Sequence, residues 1–535
     1  LQSGRGFNQG FFTNVNNLSY TVNSGATLEV ASAWNLRDNS TVSINGGTLS
    51  FLADNYLNNV NLDEGTITTT GAGRPWRTGN WAPGVINVNN SGAGSSNISG
   101  LLTFVGTGAA PTTTFNVADG TAPVDLTVSS TIFDHPGFEG DMRLIKTGAG
   151  TLALTNTTNS WSGGLSINGG VVTVSQLTPG STAGQLGGAP GIAALLSFDG
   201  GTLQYTGGSV GGINRSFTLN AGGGTIDITN PSTTVTWTDN SGAGPIVGSG
   251  SLTKTGPGTL VISDLTGGAG QGNSYSGGTI VDSGTLAGIS VGAASSPFGT
   301  GPITLNGANN ASLFGRGGDT VIDNNIVVTS GGGTSTIGTD SGTRTIYNGT
   351  VNINKDVVFR GSATDRTTYL GVISGNGNIL VNGGGRTTFQ GNNNTFVGDV
   401  DIQGAGTVLQ VGNPGGGNEI PDASNVNVGA GARFHLVFVN ESINGLSGNG
   451  TVAFFPSGGL GATTLSVGAG GGSANFSGLI ENGSPTAMNL IKIGAGTQEL
   501  SSDNTYTGLT TVNDGVLKVS ADNALGASGA GQGTT

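Results

Sequence analysis

Residues 144–174 read Leu144-Ile-Lys146-Thr-Gly-Ala-Gly-Thr-Leu-Ala-Leu154, then Thr-Asn-Thr-Thr, then Asn159-Ser-Trp161-Ser-Gly-Gly164, then Leu165-Ser-Ile167-Asn-Gly-Gly-Val-Val-Thr-Val174. Short runs of alternating apolar and polar residues, rich in β-branched side chains, are bounded by Gly and Asn-Gly. That pattern predicts half-buried strands joined by tight turns. In order it gives strand, Gly turn, strand, aromatic-Gly corner, strand, Asn-Gly turn, strand. A unit this short cannot bury an apolar face alone, so it must be covered by others like it.

Others like it are present. Leu252-Thr-Lys254-Thr-Gly-Pro-Gly-Thr-Leu leads to Asn273-Ser-Tyr275-Ser-Gly-Gly278 and Thr279-Ile-Val281-Asp-Ser-Gly-Thr-Leu286. Leu490-Ile-Lys492-Ile-Gly-Ala-Gly leads to Asn504-Thr-Tyr506-Thr-Gly508 and Leu509-Thr-Thr-Val512-Asn-Asp-Gly515. A degenerate copy runs Ile379-Leu-Val-Asn382-Gly-Gly-Gly385, then Asn394-Thr-Phe396-Val-Gly398, then Val400-Asp-Ile402. There Asn382 is read in the place of Lys and Phe396 in that of Trp or Tyr. Measured between Lys146, Lys254, Asn382 and Lys492, the copies lie 108, 128 and 110 residues apart. Lys146, Trp161, Lys254, Tyr275, Phe396, Lys492 and Tyr506 are therefore assigned structural roles in the repeat.

Strand-like runs recur outside the copies, as in Ala26-Thr-Leu-Glu-Val30, Thr41-Val-Ser-Ile44 and Thr225-Ile-Asp-Ile228. Their regularity argues against a disordered low-complexity chain, although 103 of 535 residues are Gly. No stretch carries a 3.6-residue apolar stripe. The expectation is an all-β chain folded as a right-handed parallel β-helix, a β-solenoid in the form of an elongated rod. Coils of about 22 residues would stack roughly 4.8 Å apart. Asn side chains at the corners would ladder with Asn above or below. The expected divisions are 1–125, N-terminal coils with a cap-like start around Phe7, Phe11 and Phe12; 126–235, 236–360 and 361–475, three long repeats, the third degenerate; and 476–535, the start of a fourth that ends mid-pattern.

Composition excludes several classes of function. Cysteine is absent and His occurs twice, which leaves no thiolate metal site and little material for His-based catalysis. Charged residues make up 9% of the chain, against about 25% in ordinary domains. The formal charge of −13, with basic residues scattered singly, argues against nucleic acid. No apolar run approaches the roughly 18 residues of a membrane helix, so no membrane insertion by this segment is expected.

The segments with Leu-x-Lys-x-Gly-x-Gly-Thr-Leu, Asn-x-Tyr-x-Gly and Val-Asn-x-Gly-x-Leu resemble the passenger-associated repeat of bacterial autotransporters. Thr464-Leu-Ser-Val-Gly through Ile480 and Thr368-Tyr-Leu-Gly-Val-Ile373-Ser-Gly-Asn-Gly377 are similar to stretches that precede that repeat. The resemblance implies an exported, extracellular protein of the bacterial surface with a β-helical fold. No run of about ten-residue membrane strands with an aromatic girdle is legible, so the chain reads as a passenger or an excerpt of one. The expected function is a non-enzymatic surface stalk, fibre or adhesin. Its expected partners are surface glycans or proteins, or other copies joined end to end.

The alternative is a β-helix enzyme acting on acidic polysaccharide through clustered carboxylates. Its best pair is Asp399 and Asp401, two residues apart on one strand face, without a basic cluster beside them; the plainer expectation is a solvated face. Asp134-His135 reads as a turn, as do Asp282-Ser283-Gly284 and Asp340-Ser341-Gly342. No cofactor and no metal is expected, because three-Gly spacings arise by chance at this Gly content. One loop stands out: Arg74, Trp76, Arg77 and Trp81 concentrate two of five tryptophans and two of 17 basic residues. They form either a candidate ligand or partner loop or, as the plainer expectation, an insertion that packs over the early coils.

Overall fold

The computed structural model describes the chain except residues 1–17, 33–35, 37–39, 58, 71–75, 79–83, 105–111, 135–141, 189–194, 240–245, 265–271, 291–296, 413–417, 438, 455–462, 484–486 and 528–535. Among the described residues there is no helix. The chain divides into two compact units, Leu1–Ser197 with Gly201–Leu203, and Phe198–Gly200 with Gln204–Thr535. Each is a parallel β-solenoid.

In the first unit one sheet aligns Ser19–Asn23, Thr41–Asn45, Asn59–Asp63, Gly84–Val88, Thr112–Val117, Arg143–Thr147 and Leu165–Ile167, each parallel to the next. A second aligns Thr27–Val30, Thr48–Phe51, Thr66–Thr69, Ser96–Ser99, Leu126–Val128, Thr151–Leu154 and Val171–Val174. A third, shorter sheet contains Asn55–Tyr56, Trp76–Thr78, Leu101–Phe104 and Thr131–Asp134. Parallel neighbours cannot be joined by a tight hairpin, so the chain winds through each sheet in turn before it returns one step along.

The period-two alternation puts one face of every strand inside. Leu49, Ile67, Ile98, Val128 and Leu154 stand in register and are buried. Val42, Val60, Ile86 and Phe115 form a second such column. Burial of this kind stabilises by roughly 25 cal/mol per Å² of apolar surface, and each side chain is covered by the coils on either side.

The coil is not of fixed length. Thr41 pairs with Asn59, 18 residues on, whereas Thr112 pairs with Arg143, 31 residues on. The expected 22-residue coil is thus corrected: strands hold register while the connections between them vary.

In the second unit, Gly224–Ile228, Leu252–Thr255, Thr279–Val281, Ile303–Leu305, Ile326–Val328, Val351–Ile353 and Ile373–Gly375 form one parallel ladder. Another contains the long strands Ala311–Ile322 and Ser335–Tyr347. It then forks, because Ser335–Tyr347 pairs with both Val357–Arg360 and Arg366–Tyr369. Tyr347, Tyr369, Phe359 and Phe389 fill the fork, with ring centroids 4.5–6.0 Å apart.

Candidate functional site

The most repeated polar chemistry of the chain is inside it. Lys146 stands in the inward column between Phe115 and Ile167, Lys254 between Ile226 and Val281, and Lys492 between Val467 and Val512. All three lysines are buried. An ammonium has three donors and needs three acceptors. Lys146 Nζ donates to the carbonyls of Thr147 and Gly148 at 2.8 Å each and of Gly169, in the next coil, at 3.1 Å. Lys254 Nζ meets Thr255, Gly256 and, one coil on, Ser283 in the same way. Lys492 Nζ meets Ile493, Gly494 and Asp514. The turn that aims two carbonyls inward needs a positive φ at its Gly: 76° at Gly148, 75° at Gly256 and 65° at Gly494. Burial pushes Lys146 and Lys254 down to about 8, with Asp125 opposing it at Lys146 and Asp227 and Asp282 at Lys254. Burial lowers Lys492 too.

The degenerate copy is corrected by one residue. Val381, not Asn382, occupies the lysine position, inward between Phe359 and Ile402 and fully buried. Asn382 pairs with Arg360 and corresponds to Thr147. Its carbonyl accepts the Gly361 N–H at 3.1 Å.

A second fastening was missed in the sequence. The side-chain carbonyls of Asn159, Asn273, Asn394 and Asn504 accept the N–H of Ile132, Ile246, Ile373 and Ile480, each in the preceding coil, at 2.7–2.8 Å. The amides of Asn273, Asn394 and Asn504 donate forward to the carbonyls of Pro297, Glu419 and Ala524. Buried Asn thus bonds to backbone. The Asn–Asn pairing expected between coils occurs at a corner, where Asn444 Nδ2 donates to Asn425 Oδ1 at 3.1 Å, and also on an exposed strand face, through Asn61, Asn87 and Asn116.

The repeat aromatics are buried beside these clamps. Trp161 Nε1 donates to the Gly164 carbonyl at 2.9 Å, and the hydroxyls of Tyr275 and Tyr506 lie 2.6 Å from those of Thr279 and Thr510. Phe396 has no hydroxyl and is buried alike. A backbone glycine of the following coil covers the Tyr275 ring: a Cβ at Gly299 would lie 3.0 Å from ring atoms and 2.4 Å from the Tyr275 carbonyl oxygen.

The remaining candidates are dispersed. Trp76 and Arg77 lie in the strand Trp76–Thr78, paired on both sides, instead of a loop. Arg74, Trp81, His135, Phe7, Phe11 and Phe12 lie outside the described residues. Asp134 ends a strand, and its Oδ2 accepts the N–H and hydroxyl of Ser162 at 2.9 and 2.6 Å. Asp340-Ser341-Gly342 is not a turn: it lies within Ser335–Tyr347, where the Asp340 carboxylate pairs with Arg316. His435 is buried, and burial, with Arg433 and Arg386 nearby, pushes it down to about 4, so it is neutral.

Asp399 and Asp401 border a surface groove of about 830 Å³, lined also by Gly331–Gly333, Lys355, Asp356, Val358, Asn378 and Leu380. Elsewhere, buried Glu441 accepts the N–H of Ile420 at 3.0 Å and of Glu419 at 3.4 Å. Burial lifts both carboxyls of this pair above their ordinary value, and the charge of Glu419 adds to the rise at Glu441. Among the described residues no group of three or more His, Cys, Asp and Glu is placed to hold a metal ion. No described helix is long and apolar enough to cross a membrane.

Recurrent Lys, Asn and aromatic side chains thus fasten coils of this parallel solenoid to one another. Residues 144–174, 252–287, 381–409 and 490–519 match the Passenger-associated-transport-repeat family. The chain is also similar to the Adhesin BmaC autotransporter of Brucella suis biovar 1 (strain 1330), at 28% identity over 643 aligned residues. The alignment covers 94% of this chain and 18% of that relative, so the chain spans about a fifth of the length of the protein it matches. No solved structure matches it.

Proposed function

We propose that this chain is a segment of an extracellular, bacterial-surface passenger whose solenoid acts as a stalk and presents an adhesive surface, without catalysis. The observation that carries this reading is the use of the repeat's own chemistry. The Lys, Asn and aromatic side chains that recur with the motif are buried and hydrogen-bonded to backbone or neighbouring Thr, where they stabilise stacking and cannot meet a substrate. Similarity to an adhesin supports the adhesive part.

Beads coated with the purified chain should attach saturably to host cells or extracellular matrix, while beads coated with an unrelated solenoid should not. Absence of attachment, together with depolymerisation of an acidic polysaccharide that is lost in the Asp399→Ala, Asp401→Ala double variant, would replace this reading with the enzymatic one. End-to-end self-association is a separate part of the proposal. Electron microscopy tests it: filaments support it, and discrete single particles reject it.

A further inference from the structure

The outward column through Thr336, Val358, Leu380, Asp401, Asn427 and Ser447 is polar except at its second and third members. Val358 and Leu380 are half-buried and floor the groove. The groove crosses four successive coils, from Gly331–Gly333 to Asp399–Asp401, or roughly 14 Å at one coil per 4.8 Å. A corner ladder borders it. Asp356 Oδ1 accepts the Asn378 N–H at 2.7 Å, Asn378 Oδ1 the Asp399 N–H at 2.8 Å, and Asp399 Oδ1 the Asn425 N–H at 2.9 Å. Asp401 Oδ1 accepts from Gln403 Nε2 and Asn427 Nδ2 at 2.6 and 2.7 Å. Each aspartate has one oxygen committed to the fold. Its Oδ2 accepts no hydrogen bond from the described residues. Among the described residues the one lining cation, Lys355, is turned to the carbonyls of Gly307 and Gly333.

We infer that this groove docks an extended basic segment of a partner polypeptide. Lys or Arg methylenes would lie over Val358 and Leu380, and their charged heads would meet Asp356, Asp399 and Asp401. Charge complementarity selects this occupant. A saccharide site would be expected to offer an aromatic platform, and among the described residues no aromatic lines the groove. A second copy of this chain, at −13, would bring net negative charge to an acidic groove and is disfavoured as its occupant. The inference rests on the surface-passenger reading only for where the partner comes from.

The test is fluorescence anisotropy of the full chain with a short labelled peptide of alternating Lys and Ser, at low and high salt. A Glu-Ser peptide and a neutral dextran oligosaccharide serve as controls. The variant Asp356→Asn, Asp399→Asn, Asp401→Asn keeps the ladder, because Asn378 already performs that role with an amide. It should melt like the wild type and bind the Lys-Ser peptide about tenfold more weakly, a loss of about 1.4 kcal/mol, with its salt dependence gone. Leu380→Arg, at a half-exposed position, should abolish binding by filling the groove. Equal binding by the Asn variant, absent binding by the wild type, or preference for either control overturns the inference. Bead attachment that survives in the Asn variant keeps the adhesive reading and rejects the groove. Peptide binding without attachment does the reverse.

Discussion

The second and third copies of the repeat solve one problem in two ways. At Lys254 a cation lies in an apolar column and draws in carbonyls from its own turn and the next coil. At Val381 the same register position is apolar, between Phe359 and Ile402, and Phe359, Tyr369 and Phe389 pack against one another alongside. The lysine therefore ties the carbonyls of its own glycine turn to a carbonyl of the following coil. At Val381 the column continues as hydrocarbon, and the motif's most conspicuous charge is lost without loss of the coil.

Exchanging the two solutions breaks this comparison most sharply. Val381→Lys buries a cation between Phe359 and Ile402, and should cost about 4 kcal/mol in urea unfolding; tolerance of it would show that the turn after Val381 can receive an ammonium as the other copies do. Lys254→Met retains the stem but removes a charged donor from three carbonyls, and should cost about 2–3 kcal/mol by the same assay. Gly299→Ala forces a side chain into positive φ, 63°, and against the Tyr275 carbonyl. A loss of about 1–3 kcal/mol is expected, whereas a neutral result would mean the following coil can move off the ring.

The smallest effect sets the polar clamps against the Glu419–Glu441 pair, which is buried without a cation. Their raised values mean that the folded chain keeps protons the unfolded chain has released. This contribution is full below the ordinary value of 4.5 and is lost as pH rises toward neutrality. Glu441→Gln keeps an acceptor for Ile420 and should raise stability by about 1 kcal/mol at neutral pH, with no gain in acid. A pH-independent difference in melting temperature would contradict that assignment.

The fold was legible because strands of period two, separated by Gly, leave little else for residues 144–174 to form. The burial of Lys146 was not, since a lysine on an alternating strand reads as solvent-facing; only the three carbonyls explain it. The degenerate copy slipped by one residue because Asn382 is polar like Lys, and only register places Val381 inside. The groove was half legible. Asp399 and Asp401 stood out as a pair, but Asp356, Val358 and Leu380 join them only through coil register. Glu419 and Glu441 carry no local signal, being 22 residues apart.

Hydrogen–deuterium exchange across the chain, wild type against Lys254→Met, tests most directly whether the repeat is a coil-to-coil fastener. Exchange should accelerate in peptides covering both 254–260 and 283–287, the two turns that share the ammonium, and stay unchanged over 379–411, where Val381 already stands. Acceleration confined to 254–260, or no change in either turn, would contradict it.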